Sequence, residues 1–243
     1  MDPVKAFSKE RRENIDRLGK NKKLKKWGRD FTVETIAARY SFNFDWLGRP
    51  IIQHPQDIVA LQELIWKIKP DLVIETGIAH GGSLILSASI LELLGGRRKV
   101  VGIDIEIYKH NRTAIEEHPL AKRIIMLEGS STDPVIVEKV RRLARGKKVL
   151  AYLDSSHNHD HVLRELELYA PLVSKGSYIV VFDTIAEYVP ARLMAHRPWG
   201  HGNNPKTAVD AFLREHKNFV VDRDIENKLL ITAAPGGYLK RVR

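Results

Sequence analysis

From residue 55 onward the apolar positions keep switching between two rhythms. Ile58, Val59, Leu61, Leu64, Ile65 and Ile68 recur three and four residues apart, which predicts a helix over 55–68 that Pro70 stops. The run 71–75 is short and almost continuously apolar, the pattern of a strand covered on both faces, and it ends at Gly77. The alternation then repeats. Helices are expected over 83–94 (closed by Gly95-Gly96), 112–118, 133–144, 161–170 and 208–215. Strands are expected over 99–104, 124–127, 149–154 and 177–183, with runs at 219–222 and 229–232 pairing to close the sheet. Repeated strand–helix units with nearly all-apolar strands predict an α/β fold, a doubly wound and mostly parallel seven-stranded sheet with helices on both faces. Upstream, 5–30 carries sparse apolar positions (Phe7, Ile15, Leu18, Leu24, Trp27) among many charges, and 32–53 is an aromatic lead-in containing Tyr40, Phe42, Phe44 and Trp46. Residues 1–39 are therefore expected to form a basic helical arm that needs a surface to pack on, and 40–243 the sheet domain.

Composition narrows the function classes. With 43% hydrophobic and 29% charged residues in 243, the chain is an ordinary globular one, and its lack of cysteine excludes disulfides, thiolate catalysis and cysteine-ligated metals. No apolar run approaches the roughly 20 residues of a membrane span, and Met1-Asp2-Pro3-Val4-Lys5 lacks the apolar core of a signal peptide. A cytoplasmic protein with no membrane partner is expected. The net charge of +10 sits on the ends: +6 within residues 1–30 and +3 on Lys240, Arg241 and Arg243, leaving 31–239 nearly neutral. That distribution predicts no specific nucleic-acid partner.

In a sheet of this kind ligands sit outside the carboxyl ends of the strands, so those residues carry the chemistry. The first strand ends Glu75-Thr76-Gly77-Ile78-Ala79-His80-Gly81-Gly82-Ser83. This is not the dinucleotide pattern G-x-G-x-x-G, which disfavours a nicotinamide-dependent oxidoreductase or hydroxylase component. A glutamate before a glycine-rich turn into a helix suits a zwitterionic, cationic ligand, with its carboxylate at the helix start and its ammonium or sulfonium near Glu75: S-adenosylmethionine. Asp104, ending the second strand, is placed to accept ribose hydroxyls, and Gly129 and Ser130 after the third to meet adenine. The fourth and fifth strands end in Asp154 and Asp183, two converging carboxylates suited to Mg²⁺. His157, three residues after Asp154, is a candidate general base. The cluster His157-Asn158-His159-Asp160-His161 is one residue short of the H-x-H-x-D-H zinc pattern, so a dinuclear zinc site is not expected.

Several segments together carry a family resemblance. Phe44-Asp45-Trp46-Leu47-Gly48-Arg49-Pro50, Gln53-His54-Pro55-Gln56-Asp57, Ile74 through Ser83, Val181-Phe182-Asp183-Thr184 and Pro198-Trp199-Gly200-His201-Gly202-Asn203-Asn204-Pro205 resemble the cephalosporin hydroxylase family, which includes rhamnosyl O-methyltransferases. The resemblance runs from about Tyr40 to the C-terminus. It implies a Rossmann-like class I methyltransferase fold, S-adenosylmethionine, Mg²⁺-supported transfer to a hydroxyl, and an oligomer. By similarity to catechol-type O-methyltransferases, Asp154, Asp183 and Thr184 occupy the metal-ligand places, and His157 falls where those enzymes carry a catalytic lysine. Phe182 stands where some relatives have an acidic residue. The expectation is an Mg²⁺-dependent O-methyltransferase acting on a small-molecule hydroxyl, a sugar or glycosylated natural product, with Trp199, His201, Asn203 and Asn204 in a loop over the acceptor and the basic arm joining subunits. A non-catalytic nucleotide-binding partner subunit is the remaining alternative.

Overall fold

The computed structural model describes residues 2–243. The arm is two helices, α1 (Pro3–Lys20) and α2 (Lys22–Glu34), divided at Asn21, whose side chain caps α2 by accepting from the Leu24 N–H at 3.0 Å. The aromatic lead-in folds into a 3₁₀ turn at Tyr40–Phe42 and a hairpin of β1 (Phe44–Trp46) and β2 (Arg49–Ile51). There follow α3 (Pro55–Ile68), β3 (Leu72–Thr76), α4 (Gly82–Leu94), β4 (Lys99–Asp104), α5 (Lys109–Glu116), β5 (Ile124–Glu128), α6 (Pro134–Ala144), β6 (Val149–Leu153), α7 (His159–Tyr169) and β7 (Tyr178–Val181). The chain closes with α8 (Ala191–Met194), α9 (Pro205–Glu215), β8 (Phe219–Val221), α10 (Arg223–Leu229) and β9 (Tyr238–Arg241).

The seven-stranded sheet has the order β5-β4-β3-β6-β7-β9-β8, parallel from β5 through β7, with β9 antiparallel to both of its neighbours. The doubly wound, mostly parallel sheet expected from the strand–helix rhythm is therefore present. Its strands carry a core on each face. Leu61, Leu64, Leu84 and Leu91 of α3 and α4 cover one face, and Val140, Leu166 and Phe212 of α6, α7 and α9 the other.

One expected strand is corrected. Residues 229–232 do not pair in the sheet: Leu229 ends α10, and β9 begins nine residues later, at Tyr238. The apolar run looked like a strand, but its polar groups have another partner. Thr232 Oγ1 (2.5 Å) and the Ala233 N–H (2.8 Å) donate to the fully buried Asp57 carboxylate of α3, as does the Tyr238 hydroxyl at 2.6 Å. Within the run, the Leu230 N–H bonds the Glu226 carbonyl at 3.1 Å and the Ile231 N–H the Leu229 carbonyl at 2.7 Å, so these groups are not free for a ladder.

The arm docks on its own chain. α1 packs along α10, Thr32 and Val33 of α2 are buried, and a Cβ on Gly28 would lie 2.2 Å from the Leu230 carbonyl oxygen. Among the described residues, no helix is long and apolar enough to cross a membrane.

Candidate functional site

The chain leaves β3 toward β4 and β5, then returns to place β6 on the other side of β3. That reversal opens a crevice at the carboxyl ends of β3, β4 and β6. A cavity of about 700 Å³ lies there, lined by Gly77, Asp104, Ser130, Asp154, His157 and Asp183 among others.

The first wall is the turn from β3 to α4. Gly77 has φ +88°, and a Cβ there would lie 2.1 Å from the Asp154 carbonyl oxygen, so the turn closes on the β6 terminus only with glycine. Gly81, at φ +85°, lies against Ile115, and Gly82 against the Pro50 carbonyl. Glu75 is 2% exposed. Its Oε1 accepts from the Ser83 hydroxyl, its Oε2 is buried with no partner, and burial pushes its carboxyl up to about 8. Thr76 is fully buried, and its carbonyl accepts the Asp154 N–H at 2.9 Å. A buried, half-satisfied carboxylate beside a turn that tolerates no side chain fits a ligand bringing its own cationic donor.

Asp104 lines the cavity, but one of its oxygens is already committed. Oδ2 accepts from the N–H groups of Ile78 (2.8 Å) and Ala79 (3.2 Å), so Asp104 shapes the glycine turn from the neighbouring strand. Gly129 (φ +142°) donates its N–H to the Asp104 carbonyl at 2.8 Å, and a Cβ there would press on Ile136. Of the third strand's polar end, Ser130 and Ser131 reach the cavity.

Asp154, His157 and Asp183 form the second wall, each offering a ligand atom within 4.8 Å of the others. His157 Nε2 stands 3.3 Å from Asp183 Oδ2. Burial, then the charges of Asp183, Glu75, Glu165 and Asp57, push the Asp154 carboxyl well above the usual range. Two carboxylates held this close repel each other, and a divalent cation relieves that repulsion, so the donor set fits Mg²⁺. Asp183 has φ +54°, a left-handed conformation uncommon outside glycine, which turns its side chain toward Asp154 at the end of β7. Thr184, next in sequence, is fully buried, and its Oγ1 donates to the Pro235 carbonyl at 2.9 Å. Asp183 and Ile185 line the cavity, and Thr184 between them does not.

The loop over the cavity divides its residues between the cavity and its own framework. Trp199 faces inward, its ring edge-on to His157 with centroids 5.0 Å apart. His201, Asn203 and Asn204 instead build the loop. His201 Nδ1 lies 3.0 Å from Glu187 Oε1, Asn203 Oδ1 accepts the His159 N–H at 2.9 Å, and the buried Asn204 caps α9 while donating to Glu187 at 2.5 Å. Polar residues needed to hold a turn look, in sequence, like polar residues aimed at a ligand.

Two features escaped the sequence reading. The cavity's outer half is apolar, lined by Ile36 from the residues after α2 and by Ile185, Val189, Leu193 and Met194, so the arm region helps enclose it. The lead-in to α3 supplies Gln53 and His54, 5% and 6% exposed, both on the cavity. Gln53 Nε2 donates to Asp154 Oδ2 at 3.2 Å. His54 stacks on Tyr40 with its Nδ1 unpartnered, and burial holds its pKa down against the pull of Asp57 and Asp183. Both residues stood in the Gln53–Asp57 segment that carried the resemblance, but nothing in their spacing marked them as site residues.

Comparisons with known proteins agree with this geometry. Residues 38–242 match the family model described as rhamnosyl O-methyltransferase/CmcI. A rhamnosyl O-methyltransferase of Mycobacterium bovis is 36% identical over 223 residues, covering 87% of this chain and 86% of that protein, and one of Mycobacterium leprae is 32% identical over 222 residues, covering 87% and 91%. Among solved structures, a CmcI chain with Mg and SAM superposes with TM-score 0.58 at 18% identity, covering 83% of this chain and 78% of that one. TomG from Streptomyces achromogenes, an O-methyltransferase of tomaymycin synthesis in complex with SAM, gives TM-score 0.52 at 17% identity, covering 68% and 71%. At these identities the two structures establish the shared fold.

Proposed function

Because this chain belongs to the rhamnosyl O-methyltransferase/CmcI family and is an O-methyltransferase, we propose that it methylates, with S-adenosylmethionine and Mg²⁺, a hydroxyl of a small molecule, either a rhamnosyl-type sugar or a glycosylated natural product. The observation that carries this reading is the Asp154–His157–Asp183 cluster, against which the glycine turn after Glu75 closes at Gly77. When bound, S-adenosylmethionine supplies an electrophilic methyl group, and Mg²⁺ supplies a positive charge that makes the acceptor hydroxyl more acidic. Asp154 and Asp183 would hold the cation. Glu75 and Ser83 would hold the amino-acid end of the cofactor, with Gly77, Gly81 and Gly82 letting the backbone approach, and Asp104, Ser130 and Ser131 would face its nucleoside end. His157 Nε2 would take the proton that the acceptor hydroxyl gives up. Trp199 keeps the imidazole from rotating away, and the apolar half of the cavity excludes water from the reacting atoms. The family assignment sets aside the nicotinamide-dependent and non-catalytic alternatives.

The test is transfer of labelled methyl from S-adenosylmethionine to a panel of rhamnosides, with the product weighed by mass spectrometry. Methylated glycoside that disappears on chelation supports the reading, and a panel left wholly unmodified by an enzyme that binds S-adenosylmethionine removes the sugar class.

Glu75 gives this reading a pH signature. In the free chain its carboxyl is protonated up to about pH 8, whereas a cationic ligand favours the carboxylate. Binding of S-adenosylmethionine should therefore release a proton between the ordinary carboxylate range and pH 8. Affinity should rise with pH across that window, by at most about tenfold per unit, and level off above it. Calorimetry in buffers of different ionisation enthalpy counts the protons, and a count of zero at pH 6–7 would detach the cofactor's ammonium from Glu75.

The arm over residues 1–39 and the sheet domain over 40–243 are our division of the chain, and we assign the arm a role in a cytoplasmic homo-oligomer. Although α1 and α2 dock on their own chain, Val4, Phe7 and Trp27 stay exposed on them. Deleting residues 2–30 should lower the mass measured by light scattering, and an unchanged mass would end that role.

A further inference from the structure

We propose that Gln53 is a positioning residue that joins the cofactor to the metal cluster, its carbonyl Oε1 accepting from the cofactor's ammonium while its amide Nε2 orients Asp154. This deepens the function proposed above and rests on it. The inference begins from acceptors that lack donors. Gln53 Oε1 and Glu75 Oε2 are both buried and unpaired, and a buried acceptor is seldom left without a donor. A primary ammonium carries three N–H groups and can satisfy both. A small recess of about 40 Å³ off the main cavity places Gln53 together with Gly77, Ala79 and Ser83, and Ser83 is the residue that donates to the other oxygen of Glu75.

The opposite end of the same amide is on the metal side. Nε2 donates to Asp154 Oδ2 at 3.2 Å, and an amide with one nitrogen and one oxygen has a fixed direction once that bond forms. The backbone completes the link. The Asp154 N–H donates to the Thr76 carbonyl at 2.9 Å, and the Asp154 carbonyl lies where a Gly77 Cβ would be, so the cofactor turn and this metal ligand share one wall. A cation that fixes Asp154 therefore also fixes the direction in which Oε1 points. Thermodynamic reciprocity then requires that each ligand tighten the other.

The experiment measures binding rather than turnover. S-adenosylhomocysteine, which carries the ammonium, and 5′-methylthioadenosine, which lacks the amino-acid end, are titrated calorimetrically into the full-length protein with and without Mg²⁺. Gln53→Met keeps the length and removes both hydrogen bonds. It should weaken S-adenosylhomocysteine by roughly tenfold, leave 5′-methylthioadenosine at its wild-type affinity, and abolish the tightening of S-adenosylhomocysteine by Mg²⁺. Gln53→Asn retains a buried amide but is one methylene too short to bridge, and should show the same pattern if the methionine variant folds poorly. Unchanged affinity for S-adenosylhomocysteine in either folded variant would overturn the proposal. So would an equal loss for both ligands, because that is what a packing role produces. A wild-type protein that binds neither ligand would refute the cofactor reading itself, a different failure seen before any variant is made.

Discussion

Replacing His157 with alanine is expected to lower turnover by roughly 10²–10⁴-fold, the contribution of a well-placed general base, while leaving the affinity for S-adenosylmethionine unchanged. The imidazole stands where a proton acceptor is needed. Its Nε2 faces Asp183 at 3.3 Å, its ring is braced edge-on by Trp199, and it shares the cavity with Asp154. The same position leaves a rival role, since His157 is also close enough to ligate a cation with the two carboxylates. The two roles separate in measurement. A base that is not a ligand leaves the calorimetric Mg²⁺ affinity of His157→Ala near wild type while turnover falls. A ligand role weakens Mg²⁺ binding in step with activity. A His157→Ala enzyme with wild-type turnover would take the proton away from His157 altogether.

What the sequence disclosed and what it concealed divide along physical lines. The parallel strands were legible because both their faces are covered, so that 72–76, 99–104, 149–153 and 178–181 are nearly continuous apolar runs. Glu75, Asp104, Asp154 and Asp183 were legible because a polar residue ending such a run stands at the mouth of the crevice, and all four lie on or beside it. The last strand was hidden because 229–232 has strand-like composition, while the Thr232 hydroxyl and the next N–H, of Ala233, are held by Asp57, a residue more than 170 positions away. No local pattern encodes such a partner. Sequence order shows neither that Asp183 takes a left-handed turn nor that the Thr184 hydroxyl beside it is spent on the Pro235 carbonyl. Gln53 and His54 went unassigned for a related reason. They follow a strand of the short hairpin rather than one of the main sheet, and only the packing of the helix they lead into brings Gln53 to Asp154.

The second large effect concerns Asp154, where function and stability should pull in opposite directions. Burial and the nearby charges of Asp183, Glu75, Glu165 and Asp57 raise its carboxyl pKa in the folded, metal-free chain. The folded state therefore keeps a proton that the unfolded state has already released, over the pH window from the ordinary carboxylate range up to the raised folded value. By linkage, stability falls as pH rises through that window. Asp154→Asn cannot ionise and its side chain can still pair with Gln53, so the metal-free variant should melt higher than wild type at pH 8 and close to it at pH 4. Each kcal/mol recovered would appear as about 2–4 °C in a chain of this size. The same substitution removes a charge from the cation site. Activity should fall by about two orders of magnitude or more at wild-type Mg²⁺ concentration, and partly return with excess Mg²⁺, because Asp183 still anchors a weaker site. A carboxylate kept for folding would behave the other way, with the variant less stable at every pH. An Asp154→Asn protein that is both destabilised and fully active after chelation would end the cation's part in the reaction and leave Asp154 a residue kept for folding.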